Sequence, residues 1–301
     1  MFKFIVTGGA GFIGSNFTKR ALDEGHEVLI LDNLSTGARE NIDPRASFYE
    51  VDLCDYEIMK HYFKGADYVF HFAALARVPL SIEKPRETNR NNVESTINVL
   101  MAAKENGLRR VVYSASSSAY GAQIQMPLKE DMPAAPLSPY GIQKYVGELY
   151  VKNFYNLFGL EGVSLRYFNV YGPQMAFEGA YTTAVASFIK LKKEGKPLTI
   201  FGDGAITRDF THVDDVVEAN LKAAFSDKAG KGDVINIGAG HNHSINHIAD
   251  LIGGERVYLE PRKGDPQDTL ADTKKAKELL DWEPKINLDE GIKNLKEIYP
   301  S

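Results

Sequence analysis

Phe4-Ile5-Val6-Thr7-Gly8-Gly9-Ala10-Gly11-Phe12-Ile13-Gly14 opens the chain, and Val28-Leu29-Ile30-Leu31-Asp32 follows it. The apolar start reads as a strand buried on both faces. It runs into three glycines at a spacing of three, Gly8, Gly11 and Gly14. An amphipathic stretch from Phe12 to about Glu24 follows, closed by Gly25, and the second apolar run is the next strand. Absent Cβ atoms let such a loop turn tightly and approach a pyrophosphate lying at the helix N-terminus. Asp32 ends the second strand 18 residues after Gly14. A carboxylate there accepts hydrogen bonds from adenosine ribose hydroxyls and repels a 2′-phosphate. Asn33-Leu34-Ser35 brings no Arg or Lys beside it, so NAD is expected rather than NADP. Asp52-Leu53 ends the third strand and is a further candidate, at the adenine.

Outward from this unit the alternation continues. Phe48–Val51, Tyr68–Phe72 and Val111–Ser114 are apolar runs separated by helical stretches, one of them about 88–106 and ending at Gly107. The expected fold class is α/β, a Rossmann-type doubly wound parallel sheet. After about Gly172 loops lengthen and Gly and Pro gather. Residues 173–301 are therefore expected to form mainly a smaller, mixed α/β domain, and 1–172 the sheet, with a returning segment near 205–238 that includes the strand Val234–Ile237. The length of 301 residues accommodates this division, and 44% hydrophobic with 25% charged residues is ordinary globular usage. A net charge of −5 argues against a broad nucleic-acid surface. Cys54 is the single cysteine, which excludes an intramolecular disulfide and a Cys-based zinc site. No apolar run suits a membrane span, and the first residues leave no room for a signal peptide, so a cytoplasmic protein acting on small molecules is expected.

Ser138-Pro139-Tyr140-Gly141-Ile142-Gln143-Lys144 begins another helix. Tyr140 and Lys144 are i and i+4 and share a face. A tyrosine of ordinary pKa near ~10 is a poor base at neutral pH. A neighbouring ammonium favours the phenolate, which could then take a proton from a sugar or alcohol hydroxyl. Ser114 to Ser118 supplies hydroxyls at the C-terminal end of a sheet strand, where ligands bind in such sheets.

With these features together, the sequence resembles the extended short-chain dehydrogenase/reductase family, and more closely its NAD-dependent UDP-sugar 4-epimerases. The marks are Thr7 to Gly14, Asp32-Asn33-Leu34, His71-Phe72-Ala73-Ala74, Asn91-Asn92-Val93, Ser116 with Tyr120-Gly121, Tyr140 to Lys144, Leu165 to Asn169, and Arg208 to Val213. The resemblance implies Tyr140 as general base and acid, Ser116 as partner of the sugar 4-hydroxyl, and Lys144 as tuner of Tyr140. It implies an NAD site of Gly8, Gly11, Phe12, Ile13, Gly14, Asp32, Asn33, Ser35, Thr36, Gly37, Asp52, Leu53, Phe72, Ala73, Ala74, Asn92, Ser114, Tyr140, Lys144 and Tyr167. Tyr167 would flank the nicotinamide. Asn169, Arg208, Arg262 and Asp265 would meet the diphosphate and Phe201 the uracil. Ser116, Tyr140, Ala184, Val185 and Thr269 would complete the UDP-sugar site. The helices about 88–106 and 140–158 resemble a four-helix homodimer interface.

Dehydratases and decarboxylases of this family carry an acid two residues after the Ser116 position. Ser116-Ser117-Ser118 has none, which favours simple oxidation and return. Ala76 and Thr269 stand where the strict glucose/galactose enzymes have lysine and a bulky tyrosine, so tolerance of N-acetylated sugars is expected. A UDP-uronate 4-epimerase, another nucleotide-sugar enzyme of the family and a non-catalytic NAD sensor are the alternatives. His241, His243 and His247 read as a polar loop entering a helix capped by Ser244, not as metal ligands. Lys190, Lys192, Lys193 and Lys196 read as a solvated helix end.

Overall fold

The computed structural model of the chain describes residues 1–177, 183–261 and 268–300. Strands in chain order are β1 (Lys3–Thr7), β2 (Glu27–Asp32), β3 (Ser47–Glu50), β4 (Tyr68–His71), β5 (Arg110–Ser116), β6 (Glu161–Tyr167), β7 (Leu198–Phe201), β8 (Thr207–Asp209), β9 (Lys231–Ile237), β10 (Asn242–Ser244) and β11 (Arg256–Leu259). Seven of them form one sheet in the order β3-β2-β1-β4-β5-β6-β9. Every pairing in it is parallel. The order reverses between β1 and β4, which opens a crevice at their C-terminal ends.

Alternate side chains of the strands feed two cores. Phe4, Val6, Ile30 and Phe70 pack with Phe17, Ala21, Val216 and Val217 on one face. Ile5, Leu29, Leu31 and Val69 pack with Val99, Leu100, Val151 and Phe154 on the other. A third cluster joins Tyr171, Val185, Phe188, Ile189, Leu198, Ile200, Ile248 and Leu295. It lies under β7 and β11, which pair parallel, beside the antiparallel pair β8 and β10. No helix among the described residues is long and apolar enough to cross a membrane.

The helix expected over 88–106 starts earlier, at Pro85, and contains a π turn at Arg90–Glu94 between the α-helical segments Pro85–Asn89 and Ser95–Glu105. The wider turn leaves carbonyls that side chains take up: the Ser95 hydroxyl donates to Asn91 O, and Thr96 Oγ1 to Asn92 O at 2.7 Å. Asn92 is buried, with its amide accepting from Leu75 N (2.7 Å) and donating to Gln143 Oε1 (2.8 Å).

The helix Pro139–Phe158 is set by Ser138, whose hydroxyl accepts from Gly141 N at 3.1 Å, by Pro139 at the first position, and by Gly159 at φ 70° past its end. Its buried face carries Gln143, Lys144 and Glu148 among Gly141, Gly147, Val151 and Phe154. Gly147 is required by close approach: a Cβ there would lie 2.2 Å from the Tyr113 hydroxyl. Gly147→Ala is therefore expected to destabilise the fold by about 1–3 kcal/mol, read by thermal unfolding.

Candidate functional site

The crevice is a cavity of about 450 Å³ whose walls come from the ends of β1, β2, β4, β5 and β6. At its floor Gly8, at φ 72°, receives the chain from β1. A Cβ on Gly8 would fall 2.6 Å from Ala73 N, and one on Gly14 2.2 Å from Gly8 O. The helix Phe12–Asp23 begins at Gly11 with no side-chain cap, so its first N–H groups face the cavity without a protein partner at the N-cap. Asp32 lies at the far wall. Its oxygens accept from Ala10 N (3.0 Å) and Leu34 N (2.8 Å), while burial pushes its carboxyl up.

The residues expected at this half come together. Gly8, Gly11, Phe12, Ile13, Gly14, Asp32, Asn33, Ser35, Thr36, Gly37, Asp52, Leu53, Phe72, Ala73, Ala74 and Ser114 all line the cavity. Asn91 lines it, whereas its neighbour Asn92 is spent on Leu75 and Gln143. Cys54 sits at the same end, its thiol donating to Arg90 O at 3.3 Å and pushed up to about 12 by burial and Asp52. It stays a thiol at neutral pH. The glycine cradle, the uncapped helix start and the strand-end carboxylate fit a dinucleotide with a free 2′-hydroxyl.

At the other half Tyr140, Lys144, Ser116 and Tyr167 share the wall. Ser116 ends β5, and its Oγ accepts from Ser118 N at 3.2 Å. Burial pushes the Tyr140 phenol up, and the neighbouring Ser116 hydroxyl opposes that rise. Lys144 Nζ donates to Ser114 O at 2.7 Å, and burial drives this lysine down to about 7. His71 bridges Thr7 Oγ1 (2.7 Å) and Thr96 Oγ1 (3.0 Å) and is pushed to about 3 by burial and Lys144, so it is neutral. Tyr167 OH donates to Asn220 Oδ1 at 2.9 Å. Among the described residues no carboxylate is in the cavity wall beside Ser117 and Ser118; Asp32 and Asp52 are at the opposite end.

The second half of the chain supplies Asn169, Val170, Met175, Ala176 and Thr183 to the wall. Asn169 is held at φ 30°, a left-handed backbone uncommon for a side-chain-bearing residue. Its amide donates to Asp209 O (2.8 Å) and to Thr269 Oγ1 (3.3 Å). Thr269 thus lies behind Asn169. Arg208 stands on β8 and donates Nη1 to Thr207 O at 2.9 Å; Phe201 ends β7 beside Leu259. Ala184 and Val185 begin the helix Ala184–Lys193; Val185 is buried in the third cluster, and the cavity lining stops at Thr183 before them. Arg262 and Asp265 lie outside the described residues. His243 and His247 stack at 5.0 Å, Ser244 caps the helix as expected, and no metal-holding group of side chains occurs among the described residues.

Neither Gln143 nor Glu148 was singled out by the sequence reading. Both were detectable as polar residues on the face that the helix Pro139–Phe158 turns to the sheet.

Sheet order, glycine cradle and the tyrosine–lysine face define a Rossmann-type enzyme that works through a bound dinucleotide. The chain belongs to the NAD dependent epimerase/dehydratase family, whose model matches residues 4–238, and NAD is its cofactor. It is similar to the crystal structure of the UDP-glucose 4-epimerase of Thermotoga maritima with UDP-glucose: 39% identity, 97% of this chain and 96% of that one, TM-score 0.93. It is likewise similar to the UDP-N-acetylglucosamine 4-epimerase of Methanobrevibacter ruminantium, at 36% identity, 99% of both chains and TM-score 0.92. A UDP-glucuronate 4-epimerase of Thermodesulfobacterium geofontis is 36% identical over 96% of this chain and 94% of its own length.

Gly14→Ala pushes a methyl into the Gly8 carbonyl. NAD affinity is expected to fall about tenfold or more, equivalent to ~1.4 kcal/mol, in a calorimetric titration.

Proposed function

We propose that the chain interconverts C4 epimers of a UDP-hexose, UDP-glucose and UDP-galactose foremost, with N-acetylated hexoses tolerated. The observation that carries this is that Tyr140, Ser116 and the buried Lys144 share one wall of the cleft, with Lys144 tied to Ser114 O and three serines where an eliminating enzyme of the family needs an acid. NAD, when bound, supplies a reversible two-electron acceptor for C4. Ser116 orients the sugar 4-hydroxyl. Tyr140 takes its proton as phenolate, and the Lys144 ammonium favours that phenolate. The 4-keto sugar turns about its bond to the diphosphate, and Tyr140 returns the proton to the O4 of the epimer. Asn169, Arg208, Arg262 and Asp265 anchor the nucleotide through this turn, with Phe201 at the base. Residues 1–172 with β9 serve the cofactor, and 173–301 mainly the nucleotide sugar.

A UDP-uronate is the competing substrate, favoured by the 36% identity to a relative bearing that name. A non-catalytic sensor of NAD would have no use for both Tyr140 and Lys144. A panel of UDP-sugars followed by chromatography decides among these; absence of UDP-galactose formation from UDP-glucose overturns the first reading. Tyr140→Phe is expected to lower kcat by about 10²–10⁴ with NAD content unchanged. Thr269→Tyr adds a ring behind Asn169 and is expected to depress turnover of UDP-N-acetylglucosamine more than that of UDP-glucose.

Ile142, Leu149 and Leu157 are 50%, 51% and 64% exposed along one face of the helix Pro139–Phe158. Such a stripe supports a homodimer through a four-helix bundle. Leu149→Lys is expected to yield monomers in sedimentation velocity.

A further inference from the structure

Tyr140, Lys144 and Glu148 follow at i, i+4 and i+8 and so share one face of their helix. Glu148 and Arg166 are 2% and 3% exposed. The guanidinium grips both carboxylate oxygens, Nε to Oε1 at 2.9 Å and Nη2 to Oε2 at 2.7 Å. Arg166 sits on β6 next to the cleft-lining Tyr167, and its guanidinium stacks 4.4 Å from the Tyr120 ring. A buried ion pair of this kind contributes little stability that apolar residues of the same size would not. Its placement one turn from a buried lysine calls for another reason.

The groups placed at Lys144 are Tyr140 and Glu148 from its own helix, neutral His71 from β4 and Tyr113 from β5 with its ring 5.1 Å away; Arg166, from β6, is joined to Glu148. Among these, Glu148 alone bears a negative charge. Ser114 O offers a hydrogen bond but no charge. An amine at Lys144 would give no support to a phenolate.

We propose that Glu148, fixed by Arg166, is a positioning residue that holds Lys144 as an ammonium beneath Tyr140. The proposal rests on the roles given above to Tyr140 and Lys144. Burial drives Lys144 down and Glu148 opposes it. The ammonium exists below its pKa, so the activity it supports is lost as pH rises through that value. Removing the carboxylate brings that loss to lower pH.

The test compares the NAD-loaded wild type with Glu148→Gln, Glu148→Gln/Arg166→Met and Glu148→Asp. The single Gln variant strands a buried guanidinium and is open to misfolding; the double variant removes both charges. Two readouts are taken: the pH profile of kcat/KM, and the ultraviolet phenolate titration of Tyr140 with Tyr140→Phe as blank. In the double variant the alkaline limb is expected to move down by about one pH unit or more. The Tyr140 phenolate is expected to appear at higher pH, with melting close to wild type. Glu148→Asp keeps the charge and is expected to restore the limb. A folded double variant with the wild-type limb and phenolate titration overturns the proposal. So does a double variant that does not fold, since the pair is then structural. A wild type that turns over no UDP-sugar overturns the proposed reaction instead, while the phenolate titration still tests Glu148.

Discussion

The contact on which the site depends is between backbones. Gly8 lies against Ala73 N, Gly14 lies against Gly8 O, and Gly8 N donates to Leu31 O at 2.9 Å. Four segments, the ends of β1, β2 and β4 and the start of a helix, therefore meet through their backbones. Any Cβ at either glycine would separate them. Because the meeting point is where the sheet order reverses, closing it fixes the width of the crevice and aims the uncapped helix start into it. The rest of the cleft wall is hung from the same strand ends.

Electrostatics at the other end follow from the opposite circumstance, charge placed where water is excluded. Lys144 lies between the sheet and its own helix, and burial alone works against its charge. Its hydrogen bond to Ser114 O ties it to the strand that carries Ser116, so the two side chains keep a fixed relation to one another. His71, one strand over, is wedged between two threonines and kept neutral, so it adds no positive charge beside the lysine. Tyr113 closes the gap: its hydroxyl reaches Lys144 O at 3.3 Å in the space that Gly147 leaves open.

Much of this is written locally and was therefore readable. The glycine spacing, Asp32 and the i, i+4 pair of Tyr140 and Lys144 are each fixed by one turn of backbone. The parallel sheet follows from unbroken apolar strands, and caps such as Ser138 and Ser244 act within three residues. What eluded the sequence depends on distant partners. The π turn at Arg90–Glu94 exists because Asn92 finds Leu75 and Gln143, which no spacing announces. Thr269 meets Asn169 across 100 residues of chain. Its place behind Asn169 follows from the Asp209 carboxylate, which accepts from Ala239, Gly240 and Ala271 N and so ties three segments together.

That hub bears on how an acidic chain would hold an anionic ligand. A net charge of −5 is no obstacle when the carboxylates near the site are themselves consumed. Asp209 is fully buried and its oxygens take three backbone N–H groups, and Asp32 takes two. Each such bond spreads negative charge into the protein rather than into the cleft. Asp209 also offers its backbone carbonyl to Asn169, which the same network holds at a φ that an asparagine adopts only under constraint. The strained residue thus holds its backbone at a fixed angle to the cavity, with its amide turned to Asp209 and Thr269. On the proposed reading, a phosphorylated ligand would be held by the oriented backbone N–H groups of the uncapped helix start and a few placed side chains rather than by overall charge.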